Sequence, residues 1–441
     1  MKKLFKSLVM LMVAVMLSTS FACTAPAPES SETPSGKIIS RERIGYVTGP
    51  DYFTANNTKD NFGFAGTDLG FPVYDSTTEE MYVFFGDTFT EHTATSGDWR
   101  SNVMAISKDF DLSDGLDFIG IYTAEGKKYI GEDHGKAVAV AEGLHSTKKG
   151  EMTKIPTGAI EVNGNIYLFY FSKYSWNFKV SSMSYGGCVK STDHGNTWER
   201  CFELTWTDHA EGTGNDYTRI AKVEGNDADN IEKIINQNLD GSANVGEKID
   251  VAEHEGYFFT QIFPIDGKDG YIYIFGEGGY RTHGIKLGRV KVENFEDFES
   301  YEYFIGYDEN EDPIWLPGRE GLDYILYDDE SFIVGELWDN MCGEHSVAYN
   351  KYLKKWILSY LSSDGLTYAL AENIWGPYSK PMPLMQYNWD QLTSWEGKRI
   401  ASIYGGFIHE KWMEEDGKVM YCTYSQFTPI YNSSIMKVTF E

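Results

Sequence analysis

Asp68 and Asp87 stand at the two ends of one stretch, "GTDLGFPVYDSTTEEMYVFFGDTF", Gly66 to Phe89, with apolar runs and a polar bend between them. Around a bend at Ser76–Glu79 the two acids are offset about equally, so a β-hairpin returns both to the same edge of one strand pair. Adjacent strands lie about 5 Å apart, which makes the two carboxylates near neighbours. Like charges that close raise each other's pKa, and one carboxyl can keep its proton while the other is ionised. That is the requirement of acid/base chemistry. Turn chemistry is the competing explanation, because Asp also caps strand ends; it weighs most on Asp87.

A third acid, Glu344 in "GEHSVAYN", opens another apolar strand and could reach the same place as a general acid, or simply bond a neighbouring strand. Arg281 in "GGYRTHG" could hold a ring hydroxyl or orient a carboxylate. His345 and His409 could bond hydroxyls of a ligand, against the default of a structural histidine. Trp176, Trp338 and Trp389 fall in loop-like stretches and could stack on a ligand's ring faces, against the default of core packing.

The elements that must position these residues are strands. From Ile38 onward helical periodicity is scarce, aromatics make up 15% of the chain, and short apolar runs recur between Gly, Asp and Asn turns. "MYVFFGD", "NIYLFYFS", "YIYIFGE", "KWILSYL" and "VMYCTYS" repeat one theme at long intervals. Five aromatic hairpins predict an all-β, five-bladed propeller with antiparallel blades around a central channel. The expected blades cover residues 60–108, 130–202, 203–305, 320–382 and 395–441, with "GKIISRERIGYVTG" closing the ring against the last blade. "STDHGNTW", Ser191 to Trp198, fits an Asp-box turn, in which Asp193 bonds backbone amides and is structural. The stretch Asp227 to Lys248 reads as a short helix or surface excursion.

The N-terminus sets the compartment. Lys2, Lys3 and Lys6 precede an apolar run too short to stay in a bilayer, so residues 1–22 read as a signal peptide. "SFAC" predicts lipidation at Cys23, with residues 23–37 as a Pro/Ser/Glu-rich tether and residues 38–441 as the catalytic propeller. Export, with contact to a membrane only through the lipid, is expected. Simple secretion is the alternative.

Removing residues 1–22 takes the formal charge from −28 to −31, because that segment carries three Lys and no acid. Such a field repels nucleic acids and polyanionic substrates and is compatible with a neutral ligand. Cys188, Cys201, Cys342 and Cys422 show no metal spacing; Cys188 and Cys201 could bridge one hairpin, or all four could be buried thiols. No metal and no cofactor is implied, and a monomer is expected.

The ordered segments "GTDLGFPVYD…MYVFFGDTF", "IPTGAIEVNGNIYLFYFS", "CVKSTDHGNTW", "YIYIFGEGGYRTHGIKLGRV", "GEHSVAYNKYLKKWILSYL", "AENIWGPYS" and "YGGFIHEKW…YSQFTPIYNSSIMKV" resemble domain-of-unknown-function family 4185. Part of that family is recognised as glycoside hydrolase family 183, the endo-D-arabinanases. The resemblance spans nearly all of residues 60–441, and the G-T-D-L-G and F-G-D-T pair is its most specific part. It implies a five-bladed propeller and endo-cleavage of α-linked D-arabinofuranosyl chains, as in arabinogalactan and lipoarabinomannan. Asp68, which opens the inner strand of blade one inside the G-T-D-L-G motif, is the candidate base or nucleophile; Asp87 is either the partner acid or the residue that tunes and orients Asp68, and Glu344 could be the general acid. A sialidase would need clustered arginines and a Tyr nucleophile, and the Arg motif is missing before the Asp-box. A non-catalytic glycan-binding lipoprotein would use the same channel without needing the carboxylate pair. A scaffold for protein partners has no distinctive sequence support.

Overall fold

Each of the five aromatic runs forms the second strand of a blade, and the strand before it lines the channel. In the computed structural model the inner strands are Leu69–Asp75, Thr153–Val162, Gln261–Asp266, Gly343–Asn350 and Ile403–Glu414. Each begins its own antiparallel sheet of four to six strands. Every inner strand touches the next, and Ile403–Glu414 meets Leu69–Asp75, so the ring closes as a five-bladed propeller. The structure describes residues 34–441, apart from 131–134, 146–150, 174–182, 208–256, 282, 327–329, 338–341, 387–393, 396–397 and 400–401. The leader, Cys23 and nearly all of the tether lie outside the described residues, as do Trp176, Trp338, Trp389 and the stretch 227–248.

The last sheet runs in the order Ile38–Tyr46, Asn432–Phe440, Val419–Gln426, Ile403–Glu414. The N-terminal strand therefore pairs with the C-terminal one, and this closure ties the two ends of the chain into one blade. Blade limits differ from the sequence expectation. Blade one runs on through Gly120–Thr123 and Gly126–Tyr129, and blade two begins only at Thr153. The outer strands of blade one carry few aromatics, so the repeat that marks the second strands does not reveal them.

Local chemistry fixes the turns. Asp75 accepts the Thr77 and Thr78 amides at 2.9 and 3.3 Å, an Asx-turn that bends the first hairpin. In the Asp-box, Asp193 accepts the Thr197 amide at 2.8 Å and the Ser191 hydroxyl at 2.9 Å. The turn then packs on blade one: the Tyr82 hydroxyl donates to the His194 carbonyl at 2.8 Å, and Trp198 meets Phe84 edge-on at 5.8 Å. Cys188 and Cys201 are register partners on neighbouring strands, and both are buried thiols.

The channel is not an open pore. Phe71, Ile155, Phe263, Val347 and Phe407 belong to the main apolar core, and Phe71 meets Phe407 at 5.3 Å. The starts of the inner strands surround one mouth. Their far ends surround a separate cavity of about 330 Å³, lined by Tyr74, Glu161, Asp266, Tyr349 and His409 among others.

Candidate active site

Asp68 is presented by a β-bulge. The ladder slips between Leu69 and Phe71, and Leu69 and Gly70 have φ of 64° and 89°. A left-handed leucine costs about 1–2 kcal/mol, and three hydroxyls from blade five offset it. The Leu69 amide donates to Ser425 Oγ at 2.7 Å, Ser433 Oγ donates to the Leu69 carbonyl at 2.9 Å, and Thr423 Oγ1 donates to the Gly70 carbonyl at 2.8 Å. Each such bond contributes about 0.5–1.5 kcal/mol net. Bulges that re-aim a side chain are common beside active sites, and this one sits at the channel mouth.

The hairpin returns Asp87 beside it. The Gly86 amide donates to the Asp68 carbonyl at 3.1 Å, so Asp87 follows directly on the residue paired with Asp68. Asp87 Oδ1 accepts the Trp99 indole N–H at 2.8 Å and the Thr153 hydroxyl at 3.1 Å. Trp99 is held by stacking on His145, ring centroids 4.1 Å apart, and on Phe89 at 6.4 Å. Asp68 Oδ2 accepts the Tyr404 hydroxyl at 2.9 Å, while Oδ1 is buried with no hydrogen-bond partner.

Glu344 enters from blade four on a second bulge, between Gly343 and His345, with φ of 23°. Arg281 Nε donates to its Oε1 at 3.0 Å, and Nη2 bonds the same oxygen. Glu344 Oε2 is buried without a partner. The Arg281 guanidinium lies 4.9 Å from the Tyr404 ring centroid, which links Glu344 through blade five to Asp68. Burial pushes the Asp68 carboxyl up to about 7, with help from the Glu344 charge and against the Tyr431 and Tyr404 hydroxyls and Arg281. Burial and the neighbouring Asp68 charge push Asp87 up to about 8, against Trp99, Thr153 and Lys173. The two acids titrate as a pair.

A carboxyl whose folded pKa is raised binds its proton more tightly folded than unfolded, so its contribution is full at low pH and is lost as pH rises towards the folded value. For Asp87 that window runs from its ordinary 3.8 to about 8. Asp87→Asn should therefore melt higher than the wild type at pH 8.5 by about 1–2 kcal/mol, the full shift being discounted for partial exposure. At pH 4 the two melting curves should coincide. Thermal denaturation at the two pH values decides it, and a stabilisation equal at both would mean that charge is not its source.

The structure thus brings Asp68, Asp87, Arg281 and Glu344 to one mouth. It does not bring the two histidines there. His345 is buried beneath, with Nε2 bonded to the Phe275 carbonyl at 2.9 Å, and burial lowers its pKa to about 4. It follows Glu344 on the strand and packs against Phe263, ring centroids 6.4 Å apart. His409 lines the cavity at the far end of the channel, where its Nδ1 accepts the Lys411 amide at 3.1 Å. Neither is placed to bind a sugar between the acids. Arg281 orients a carboxylate, the second of the roles its sequence context allowed. Tyr404, Tyr431, Trp99, Thr153 and Tyr280 are the additions that sequence reasoning missed. Of these, Thr153 and Tyr404 carried a signal, since each stands at the start of an inner strand.

A Bacteroides ovatus protein assigned as a hydrolase superposes with a TM-score of 0.50 at 12% identity, over 87% of this chain and 89% of that one. A Dyadobacter fermentans protein of unknown function gives 0.44 at 10% identity, over 92% and 100%. A Xanthomonas citri GH43_1 enzyme complexed with xylotriose gives 0.41 at 13%, over 87% and 92%. At these identities the first likeness is one of fold. No curated protein matches the sequence. The family model described as domain of unknown function DUF4185 matches residues 53–437 and so takes in every residue of the mouth. The chain belongs to the DUF4185 family.

Proposed function

We propose that the protein is an endo-acting glycoside hydrolase of α-D-arabinofuranosyl polymers, exported and anchored through a lipid on Cys23. The observation that carries the hydrolase reading is the Asp68–Asp87 pair, two neighbouring carboxyls at one mouth whose pKa values are pushed up to about 7 and about 8. Cleavage needs one carboxylate as base or nucleophile and one carboxylic acid to protonate the leaving oxygen. Asp68, re-aimed into the mouth by its bulge and with an unpartnered Oδ1, serves as base or nucleophile. Asp87 has its Oδ1 occupied by Trp99 and Thr153, which leaves Oδ2 to donate. Glu344, clamped by Arg281, is the third acid: its charge raises Asp68, and its Oε2 is available to a sugar hydroxyl.

D-arabinan as the substrate rests on the resemblance to the endo-D-arabinanases. The acidic chain and the packed channel support a neutral polymer lying across the mouth rather than threading through it. Incubating the mature chain with arabinogalactan and separating the products should show an early ladder of oligosaccharides. kcat/KM against pH should be bell-shaped with its optimum between about 7 and 8, where one carboxyl of the pair is ionised and the other protonated. Binding of intact D-arabinan without products would make the protein a capture lipoprotein instead.

A further inference from the structure

Tyr280 and Lys173 belong to the same mouth, and neither is an acid, base or nucleophile of the two-carboxylate scheme. Tyr280 follows the second strand of blade three, Tyr271–Glu277, in a turn where Gly279, Tyr280 and Arg281 have φ of 68°, 53° and 62°. Two successive side-chain-bearing residues in the left-handed region are uphill and persist only where neighbours over-determine them. The neighbours here do so. The Arg281 amide donates to Glu277 Oε1 at 2.7 Å, and Glu277 also accepts from the Gln261 side-chain amide. A Cβ on Gly343 would lie 2.5 Å from Arg281 Cγ, so the turn packs directly on the strand that carries Glu344.

The strained turn fixes the Tyr280 ring between cations. Lys173 Nζ lies 3.7 Å from its centroid and the Arg281 guanidinium 5.0 Å, with Phe171 edge-on at 5.8 Å. Lys173 ends the second strand of blade two, is fully buried, and pairs in register with Thr153, the residue that bonds Asp87. Burial first, and then the charges of Glu344, Asp68 and Asp87, against that of Arg281, oppose ionisation of the Tyr280 phenol, which stays a neutral donor. A cation held against an aromatic face at this distance is an attractive contact that orients the ring.

We propose that Tyr280 is a further substrate-contacting residue, whose hydroxyl donates a hydrogen bond to the bridging glycosidic oxygen, and that Lys173 is its positioning residue. The proton stays on the phenol and no bond to Tyr280 forms; the contact strengthens as charge builds on the departing oxygen. This rests on the glycoside hydrolase reading.

The test uses the mature chain, D-arabinan, and a probe that needs no glycan. Tyr280→Phe should lower kcat about 10–100-fold with KM within about threefold, the pattern of a contact made in the transition state. Lys173→Met should lower kcat by a smaller factor, and Lys173→Arg should restore most of it. Wild-type kcat in Tyr280→Phe overturns the proposal. Complete loss with a glycosyl adduct trapped on Tyr280 in the wild type also overturns it, in favour of a nucleophile. With tyrosines labelled at 13Cζ, the Tyr280 resonance, assigned by its disappearance in Tyr280→Phe, should move in both Lys173→Met and Asp68→Asn. A wild type inert on every glycan offered sinks the hydrolase reading. In that case an unmoved resonance overturns the placement of Tyr280 as well, and a moved one retains it as a ligand-contacting group.

Discussion

Asp68→Asn is expected to lower kcat/KM on D-arabinan by at least about 10²–10⁴-fold, the range set by loss of a positioned general base, and by more if Asp68 is the nucleophile. Asn matches Asp in size, and its side-chain oxygen can still accept the Tyr404 hydroxyl that now sits 2.9 Å from Oδ2. The bulge beneath is held by backbone bonds to Ser425, Ser433 and Thr423, none of which involves the Asp68 side chain. Folding should survive, and circular dichroism with thermal melting checks that it does. What is lost is the proton affinity that burial has pushed up to about 7. KM should change little, because Arg281, Glu344 and the aromatic residues of the mouth remain. Asp68→Asn with most of its activity would move the base elsewhere, even if D-arabinan proved to be the substrate.

The parts of this site that could be read from the sequence are those set by local order. The two aspartates are equally offset from a bend that Asp75 itself caps, so the hairpin alone returns them to one edge. Glu344 stands at the start of an apolar run, and inner strands here begin at the mouth. The five aromatic runs mark second strands because those strands lie in the middle of each sheet and pack on both faces. What could not be read depends on contacts across the ring. Tyr404 and Tyr431 reach Asp68 from the far end of the chain, through a closure visible only once the N-terminal strand pairs with the C-terminal one. His409 was misplaced because depth along an inner strand has no local marker. Its strand carries two register shifts, between Tyr404 and Phe407 and between Ile408 and Met413, which defeat counting by alternation. The place of His345 is set by the Phe275 carbonyl of the neighbouring blade, which takes its Nε2 at 2.9 Å and has no local marker in the sequence.

Gly86→Ala is expected to cost nearly as much activity as losing the aspartate, and it does so without replacing a titratable group. Gly86 separates Phe85 from Asp87 in the F-G-D-T motif, and its backbone does not lie in the left-handed region, so alanine fits its conformation. The obstacle is contact: a Cβ there would lie 2.3 Å from Asp68 Oδ1 and 3.0 Å from Leu69 Cδ1. The two motifs therefore interlock, with the carboxylate of G-T-D-L-G resting on the glycine of F-G-D-T. Oδ1 is the atom assigned to the base or nucleophile, and it must move by about an ångström to relieve the clash; displacement on that scale costs on the order of 10²-fold in rate. The overpacking should also destabilise the fold by about 1–3 kcal/mol. Gly45→Ala serves as the control, since a Cβ there meets nothing within 4 Å, and it should leave kcat unchanged. The decisive comparison is a double-mutant cycle. If Gly86 acts by seating Asp68, Gly86→Ala should cost almost nothing further in the Asp68→Asn background. Full additivity of the two losses would show that the glycine matters for some reason other than the carboxylate it supports.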